Sequence, residues 1–386
     1  MIRKKIKSAI SSISRNNYKT LNLIKLSSSS LLFNLDVFKK INPTFSLIPV
    51  LKANAYGHGL EQAAKILNHA KCSFLAVDGY FEAAKILDIS KHKILVLGYI
   101  RNENVKLLNI KKCSFVIQDI DSLVAFGKLN KYVNVHIEVN TGMNRLGLQP
   151  NELDEYLETM KKYPKLRLEG VMSHLADADN EVDNTYTNEQ IILFDELVEK
   201  IFKMGFSPKF IHIAQTAGST KAVSKFANAA RIGIGLYGIS PLKDVDSHYK
   251  DLTELRPVLS FDSTVIKLLK LSKGDKVSYN GIFQADKSMT IAVLPLGYYE
   301  GIPRELSNKG FVMFKNKPLP IVGRVCMNHT MIDVTDEAIR VGDRVNVISD
   351  NDSNPNSISQ LTKDGNIFSY SLMTGFSEST RRIIID

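Results

Sequence analysis

Cysteine is scarce in this sequence, and the three that occur, Cys72, Cys113 and Cys326, form no CxxC pair. Three widely spaced cysteines argue against a disulfide framework and against a zinc site, and they favour a reducing compartment. Long apolar runs are also absent, since no window approaches the ~18 to 20 consecutive apolar residues of a membrane span. We therefore expect a cytoplasmic protein with no metal site and no membrane partner.

Arginine clusters are missing as well, although the chain carries a formal net charge of +10. Its lysines are spread along the sequence, and many lie near Glu or Asp in stretches with helical periodicity. No RNA-binding signature is present. The pattern argues against a nucleic-acid partner, and a basic channel for an anionic cofactor fits it equally well.

The first 15 residues lack acidic side chains and contain several Lys, Arg and Ser residues, a composition that resembles a transit peptide. They also lack the long apolar core of a secretory signal. The favoured interpretation is a simple N-terminal arm over residues 1–20, ordered or disordered, and the transit peptide stays open as the alternative.

The length of 386 residues suggests two domains. Short apolar β-like runs alternate with amphipathic helical stretches up to about residue 237, which predicts an α/β fold with an N-terminal (β/α)₈ TIM-type barrel over residues 21–250. The eight predicted strands span residues 45–51, 73–78, 93–98, 114–118, 133–139, 167–173, 209–214 and 230–237. Short strands and turns dominate afterwards and predict a mainly β C-terminal domain over residues 251–386.

Chemically active side chains follow several of the predicted barrel strands. Lys52 follows the first strand, Arg145 the fifth, His174 the sixth and Thr216 the seventh, while Arg231 lies in the eighth. Because the active site of such a barrel forms at the carboxyl ends of its strands, these side chains should meet at one mouth, close to a common phosphate site. A lysine there suits two roles, a counter-charge for a phosphate or an amine that forms a Schiff base.

Seven motifs occur in the same order as in a known enzyme family. They are VLKANAYGHG (50–59), TGMNRLG (141–147), SHLADAD (173–179), RIGIGLYG (231–238), VSYNG (277–281), LGYYEGIPR (296–304) and IVGRVCMNHTMIDV (321–334). From about residue 21 to the C-terminus, the chain resembles the alanine racemases, pyridoxal 5′-phosphate enzymes of fold type III with a barrel and a C-terminal β domain. One motif alone would be a weak signal, but seven in order across both domains are a strong one.

The resemblance implies a homodimer with shared active sites that interconverts L- and D-alanine and supplies D-alanine for peptidoglycan. Inversion of a stereocentre requires proton removal from one face and delivery to the other. Lys52, which would hold the cofactor, is implied as one base, and Tyr279 of a second copy as the other. The other implied cofactor contacts are Tyr56, Arg145, His174, Thr216, Arg231, Gly233, Ile234 and Tyr370. The implied substrate contacts are Arg145, Tyr298 and Met327.

In the family pattern, Arg231 faces the pyridine nitrogen of the cofactor. Arginine is effectively always protonated, so it would keep that nitrogen unprotonated. The ring would then be a weaker electron sink, which should limit transamination.

Several residues depart from the family pattern. Glu138 stands where many members carry a carbamylated lysine, so we expect Glu138 to pair directly with Arg145. Asn328 replaces a usual aspartate and Phe368 a usual aliphatic residue, which keeps open a racemase of wider specificity, for example toward serine. A pyridoxal-phosphate lyase with racemase side activity is a further alternative. A non-catalytic cofactor carrier is disfavoured, because such proteins lack the β domain and Tyr279.

Overall fold

The computed structural model describes residues 18–222 and 224–386. Most of the predicted N-terminal arm, residues 1–17, lies outside the described residues. The strands are β1 (Leu23–Ser27), β2 (Ser46–Pro49), β3 (Phe74–Val77), β4 (Lys93–Val96), β5 (Cys113–Ile117), β6 (Val133–Glu138), β7 (Leu166–Met172), β8 (Phe210–His212), β9 (Ala229–Ile232), β10 (Leu259–Thr264), β11 (Lys267–Leu271), β12 (Lys276–Val277), β13 (Phe283–Gln284), β14 (Met289–Leu294), β15 (Phe311–Phe314), β16 (Lys317–Pro320), β17 (Thr330–Asp333), β18 (Arg344–Ile348) and β19 (Arg381–Ile385).

Helices occupy most of the connections between the first nine strands. The α-helices are α1 (Ser28–Ile41), α2 (Leu60–Leu67), α3 (Tyr80–Ile86), α4 (Ile120–Gly127), α5 (Leu153–Lys161), α6 (Thr185–Lys203), α7 (Gly218–Lys221), α8 (Ile358–Gly365) and α9 (Ser369–Thr374). Short 3₁₀ helices span Asn102–Leu107, Ile234–Tyr237, Tyr249–Leu252, Tyr279–Gly281 and Arg304–Leu306.

The strands β2 to β9 form a closed parallel barrel. Strands β3 to β8 pair side by side in chain order, and β2 pairs in parallel with β9. A bridge between Val50 and Ala76 joins β2 to β3, and the Arg231 N–H donates to the Ala214 carbonyl oxygen (3.0 Å), which joins β9 to the segment after β8. The predicted (β/α)₈ barrel is therefore confirmed.

Apolar residues cover the barrel strands on both faces because neither face meets water. Every residue of β3 and of β5 is buried. The outer helices turn their apolar sides toward these strands, as in α2, where Leu60, Ala64 and Leu67 are buried while Glu61 and Lys65 are exposed.

The C-terminal domain is mainly β, as predicted. Its larger sheet has the order β16-β15-β18-β10-β1-β19, and a second sheet has the order β11-β14-β17. The strand β1 lies within the range predicted for the barrel, yet it pairs antiparallel with β10 and parallel with β19. The chain thus enters the barrel from the sheet of the other domain.

The two domains meet beside the turn that follows Lys52. The Arg382 guanidinium donates to the Gly57 carbonyl oxygen through Nε (3.1 Å) and Nη2 (2.9 Å). A Cβ atom at Gly57, whose φ is +78°, would overlap the Met373 carbonyl oxygen of α9. This close approach requires glycine and brings Tyr370 of α9 to the barrel mouth.

Candidate active site

A cavity of about 530 Å³ lies where the barrel strands end, and the predicted cofactor residues surround it. Its lining includes all nine of them: Lys52, Tyr56, Arg145, His174, Thr216, Arg231, Gly233, Ile234 and Tyr370. Eight come from the barrel and Tyr370 comes from the C-terminal domain. The structure therefore brings together residues that lie up to 318 positions apart (52 to 370).

Lys52 begins a turn in which four consecutive residues, Ala53 to Tyr56, have left-handed backbone angles with φ between 51° and 55°. Burial lowers the pKa of the Lys52 amine below its ordinary value. Asp78 opposes this shift, whereas the positive charges of Arg145 and Arg231 add to it. More of the amine is therefore neutral near pH 7 than in a free lysine, and only a neutral amine can attack an aldehyde or accept a proton.

Arg231 lies in the barrel interior and is held through both terminal nitrogens. Nη1 donates to Nδ1 (2.7 Å) and the carbonyl oxygen (2.9 Å) of His212. Nη2 donates to the carbonyl oxygens of Ser173 (2.6 Å) and Ile213 (3.2 Å) and to Nδ1 of His174 (3.1 Å). Among the described residues, Nε has no hydrogen-bond acceptor, so this N–H is left for a ligand.

His174 accepts from Arg231 at Nδ1, so its neutral ring carries the proton on Nε2. Burial lowers the pKa of His174 well below its ordinary value, and the charge of Arg231 lowers it further. The ring is therefore neutral at physiological pH and presents an N–H donor. Burial also lowers the pKa of Arg231, to about 10, which leaves the guanidinium charged.

Hydroxyl and backbone amide groups also line the cavity. Thr216 Oγ1 accepts from the Gly233 N–H (3.0 Å), and Ile234 begins a 3₁₀ helix whose first N–H groups lack partners inside the helix. The rings of Tyr56 and Tyr370 pack together with centroids 6.0 Å apart. Burial raises the pKa of Tyr370 to about 12, so its hydroxyl is a donor at neutral pH. Such a set suits a phosphate.

The expected pairing of Glu138 with Arg145 is wrong. Glu138 is buried at the end of β6, where its carboxylate accepts from Gln118 Nε2 (2.9 Å). Arg145 is exposed at the cavity edge, and no ion pair joins the two among the described residues. A glutamate side chain is shorter than a carbamylated lysine, which explains why Glu138 does not reach Arg145. Burial raises the pKa of Glu138, and the charges of Arg231 and Arg145 oppose this shift.

Three predicted residues lie outside the cavity in this single chain. Tyr279, Tyr298 and Met327 are 67%, 46% and 54% exposed. Their loops adjoin one another, because the Tyr298 N–H donates to the Cys326 carbonyl oxygen (3.0 Å) and Ser278 Oγ lies 3.2 Å from Cys326 Sγ. The predicted second base and two predicted substrate contacts therefore form an exposed group on the C-terminal domain.

The prediction from the sequence missed two acidic residues at the site. Asp78 lines the cavity, and Glu82 accepts from the backbone N–H groups of Asn54 (3.3 Å) and Asp78 (2.9 Å). Asp78 directly follows β3, so the strand-end argument that found Lys52 applies to it equally.

The architecture and the cavity define a class of protein: a barrel enzyme with a C-terminal β domain and a lysine-lined cavity at the carboxyl ends of its barrel strands. Two family models match the chain, "Alanine racemase, N-terminal domain" over residues 26–241 and "Alanine racemase, C-terminal domain" over residues 258–384. The chain belongs to the alanine racemase family. The predicted family is thus confirmed, and with it a pyridoxal-phosphate-dependent isomerase.

Similar proteins match over almost the whole chain. The alanine racemase of Francisella philomiragia is 32% identical over 372 residues, which cover 95% of this chain and 100% of the relative. That of Staphylococcus saprophyticus is 31% identical and covers 92% of both chains. The crystal structure of alanine racemase from Bacillus anthracis with bound L-Ala-P is 28% identical, with a TM-score of 0.87 over 96% of each chain. Within the described residues, no helix has the length and apolar character needed to cross a membrane.

Proposed function

We infer that the protein interconverts L- and D-alanine with pyridoxal 5′-phosphate held at Lys52. One observation carries this inference. The Lys52 amine, the buried Arg231 guanidinium, and a set of hydroxyl and backbone amide groups surround one cavity. These groups suit the aldehyde, the ring nitrogen and the phosphate of the cofactor. The cavity volume of about 530 Å³ lies within the roughly 300 to 1,000 Å³ of small-molecule sites.

Lys52 attaches the cofactor and then serves as one of the two proton-carrying groups. Its lowered pKa favours both tasks, because each needs the neutral amine. When bound, the cofactor supplies an electron-withdrawing ring that acidifies the α-hydrogen of the amino acid.

Arg231 favours racemisation over transamination. Its Nε–H is left for the ring nitrogen, and a guanidinium hydrogen bond there keeps that nitrogen unprotonated. The electron-withdrawing power of the ring is then limited, which favours return of a proton to Cα.

The second proton-carrying group is Tyr279 of a second copy of the chain. Inversion needs a group on the opposite face of the same carbon, within hydrogen-bond reach. In the single chain Tyr279 lies outside the cavity and is largely exposed, together with Tyr298 and Met327. A homodimer that buries this surface against the partner's barrel mouth would complete both sites.

We place the protein in the cytoplasm as a source of D-alanine for peptidoglycan. All three cysteines are free thiols, which suits a reducing compartment. The relatives described above are bacterial alanine racemases.

Mixed dimers test the proposed function and the shared sites together. The wild-type protein should convert L-alanine to an equal mixture of enantiomers and exchange deuterium into Cα in D₂O, whereas Lys52→Ala and Tyr279→Ala proteins should each be nearly inactive. A mixed dimer of the two variants contains one intact site, so the mixture should regain activity.

Lys52→Ala protein taken alone through the same mixing procedure is the control, and it should stay inactive. Mixed dimers that form but stay inactive would reject shared sites. A wild-type protein that binds the cofactor without exchanging the α-hydrogen would reject the racemase.

A racemase of wider specificity is the second candidate, and Phe368 favours it. This exposed ring stacks on Tyr370 with centroids 4.9 Å apart, so it lies beside the cavity lining. Steady-state rates on a panel of L- and D-amino acids that includes serine distinguish the two candidates.

A further inference from the structure

A line of polar side chains crosses the barrel interior from Arg231 to the end opposite the cavity. We call Arg231, His212, His136 and Glu169 the histidine chain. Arg231 Nη1 lies 2.7 Å from His212 Nδ1, and His212 Nε2 lies 2.9 Å from His136 Nδ1. His136 Nε2 lies 3.7 Å from Glu169 Oε2, which is a charge contact longer than a hydrogen bond.

Each group of the histidine chain donates to the next, in the direction from Arg231 toward Glu169. Arg231 can only donate, so His212 Nδ1 accepts and the neutral ring carries its proton on Nε2. That N–H donates to His136 Nδ1, so His136 also carries its proton on Nε2. This last N–H faces the carboxylate of Glu169 and has no other acceptor among the described residues.

Both imidazoles are neutral, as this one-way order requires. Each is completely buried, and burial lowers the pKa of His136 below its ordinary value. Burial lowers the pKa of His212 well below its ordinary value, and the adjacent Arg231 lowers it further. A neutral imidazole has one donor and one acceptor, so the proton position in one ring dictates that in the next.

Glu169 is a charged anchor at the far end. It contacts Lys93 Nζ (3.1 Å), Asn134 Nδ2 (3.1 Å) and the Ser114 hydroxyl, all near the amino ends of their strands. Burial acts to raise the pKa of Glu169, but the contacts with His136, Ser114 and Lys93 outweigh it and lower the pKa to about 2. The residue is therefore a carboxylate at physiological pH.

The barrel is shaped to admit these polar rings. A Cβ atom at Gly170 would overlap the His136 ring, so glycine at this place in β7 provides the space for it. The pairing of β6 with β7 also shifts register between Val135 and His136. Barrel interiors are mostly filled by branched apolar side chains. Burying two neighbouring histidines costs free energy unless their ring nitrogens form hydrogen bonds.

We propose that Glu169 is a positioning residue for Arg231, which it orients through His136 and His212. The carboxylate holds the proton of His136 on Nε2, which leaves Nδ1 to accept from His212. His212 Nδ1 is then left to accept from Arg231 Nη1, and Arg231 Nε stays available for the ring nitrogen. The role of Arg231 Nε toward the ring nitrogen rests on the proposed function. The proton positions in the two histidines do not depend on it.

Nitrogen-15 NMR of the histidine rings tests the proposal on protein without cofactor, since protonated and unprotonated ring nitrogens have different shifts. Both His136 and His212 should be protonated on Nε2 in the wild-type protein. In Glu169→Leu, Arg231 is no longer held in one orientation and no longer donates to His212 Nδ1 at all times. His212 should therefore show a mixture of both tautomers although it does not touch residue 169. Glu169→Gln keeps an oxygen near His136 but removes the negative charge, so it should show the same mixture to a smaller extent than Glu169→Leu.

Kinetics of the cofactor-loaded enzyme provide a second readout. Glu169→Leu should lower kcat for alanine about tenfold while KM changes less than about twofold, because only the orientation of Arg231 changes. Asp262→Asn is the matched control, since Asp262 is a buried carboxylate paired with Lys25 in the C-terminal sheet. It should alter neither the histidine spectrum nor kcat.

A folded Glu169→Leu protein whose His212 stays wholly protonated on Nε2 would overturn the proposal. If Glu169→Leu fails to fold, His136→Phe interrupts the histidine chain with a ring of similar size, and an unchanged His212 spectrum in that variant would overturn the proposal equally. Wild-type protein with the expected tautomers but no racemase activity would reject the proposed function and leave the histidine chain intact.

Discussion

Arg231 is a buried guanidinium that is held by hydrogen bonds, while the Glu138 carboxylate acts on its charge from a longer distance. Among the described residues Arg231 forms no ion pair, and its terminal N–H groups donate to three carbonyl oxygens and two imidazoles. Burial of a charge is costly unless every donor is satisfied, and a planar five-donor group satisfies this network in one fixed orientation. A lysine ammonium is a single point of charge and is not planar. It could not donate to both sets of acceptors at once, so lysine could not replace Arg231.

Gly233 is predicted to strengthen binding of the cofactor phosphate by keeping space for the Tyr56 hydroxyl. A Cβ atom in Gly233→Ala would lie 2.6 Å from the Tyr56 hydroxyl oxygen and displace it from the cavity wall. We expect pyridoxal-phosphate affinity to fall roughly tenfold, the equivalent of about 1.4 kcal/mol, in an absorbance titration. Gly79→Ala is the control, because a Cβ atom there meets nothing within 4 Å. Equal affinities in the two variants would contradict the prediction.

The sequence made the residues that follow barrel strands predictable, but it did not reveal the histidine chain. Lys52, His174 and Thr216 follow strand ends, so barrel topology alone places them at one mouth. His136 and His212 lie within apolar strands, where a single polar residue resembles an ordinary core position. Only their partners in space reveal their role.

Among the elements, the turn after Lys52 has the most unusual backbone. Left-handed angles cost roughly 1 to 2 kcal/mol for each residue other than glycine. Four such residues in succession persist because surrounding groups hold them, including the Asn54 side chain, whose oxygen accepts from the Leu60 N–H (2.8 Å), and the Glu82 carboxylate. The turn directs Lys52 into the cavity and lets α2 begin three residues after Gly57.

Asn54→Ala is expected to destabilise this turn. It removes the acceptor for the Leu60 N–H and the residue type that tolerates φ of +55°. Asn130→Ala is the matched control, because Asn130 has φ of +52° on the surface and its side chain has no hydrogen-bond partner among the described residues. Urea unfolding should show a loss about 1 kcal/mol larger for Asn54→Ala. Equal losses would mean that the side-chain hydrogen bond contributes nothing.

Periodicity predicted the elements whose partners are near in sequence. Each of the eight barrel strands pairs with its neighbour along the chain or closes the ring, and each shows an apolar run bounded by turns. The strand β1 escaped prediction because LIKLS is short and its partners, β10 and β19, lie more than 230 residues further along the chain. No local pattern encodes such a pairing.

For the whole molecule, buried neutral histidines predict a loss of stability in mild acid. Burial lowers the pKa values of His136, His174 and His212, and it lowers the pKa of His58 to about 4. In the unfolded chain each histidine binds a proton near pH 6.5. Between these values the unfolded state binds more protons, so stability falls as the pH falls, by at most about 1.4 kcal/mol per pH unit for each histidine.

Chemical unfolding at constant ionic strength and protein concentration measures this slope between pH 7.5 and pH 5. His58→Gln should make the free energy of unfolding depend less steeply on pH. The reduction should equal the contribution of one histidine, because the substitution removes one titrating group. A free energy of unfolding that stays constant across this range would contradict the prediction.

The position of β1 near the start of the sequence determines when it can pair during synthesis on the ribosome. A ribosome releases β1 before any barrel strand, yet its parallel partner β19 emerges only after residue 381. All eight barrel strands leave the ribosome in between, and pairings that close the longest loops form last. The nascent chain therefore carries an apolar strand with unpaired edges throughout the synthesis of the barrel, a segment that a chaperone can hold until the final strand arrives.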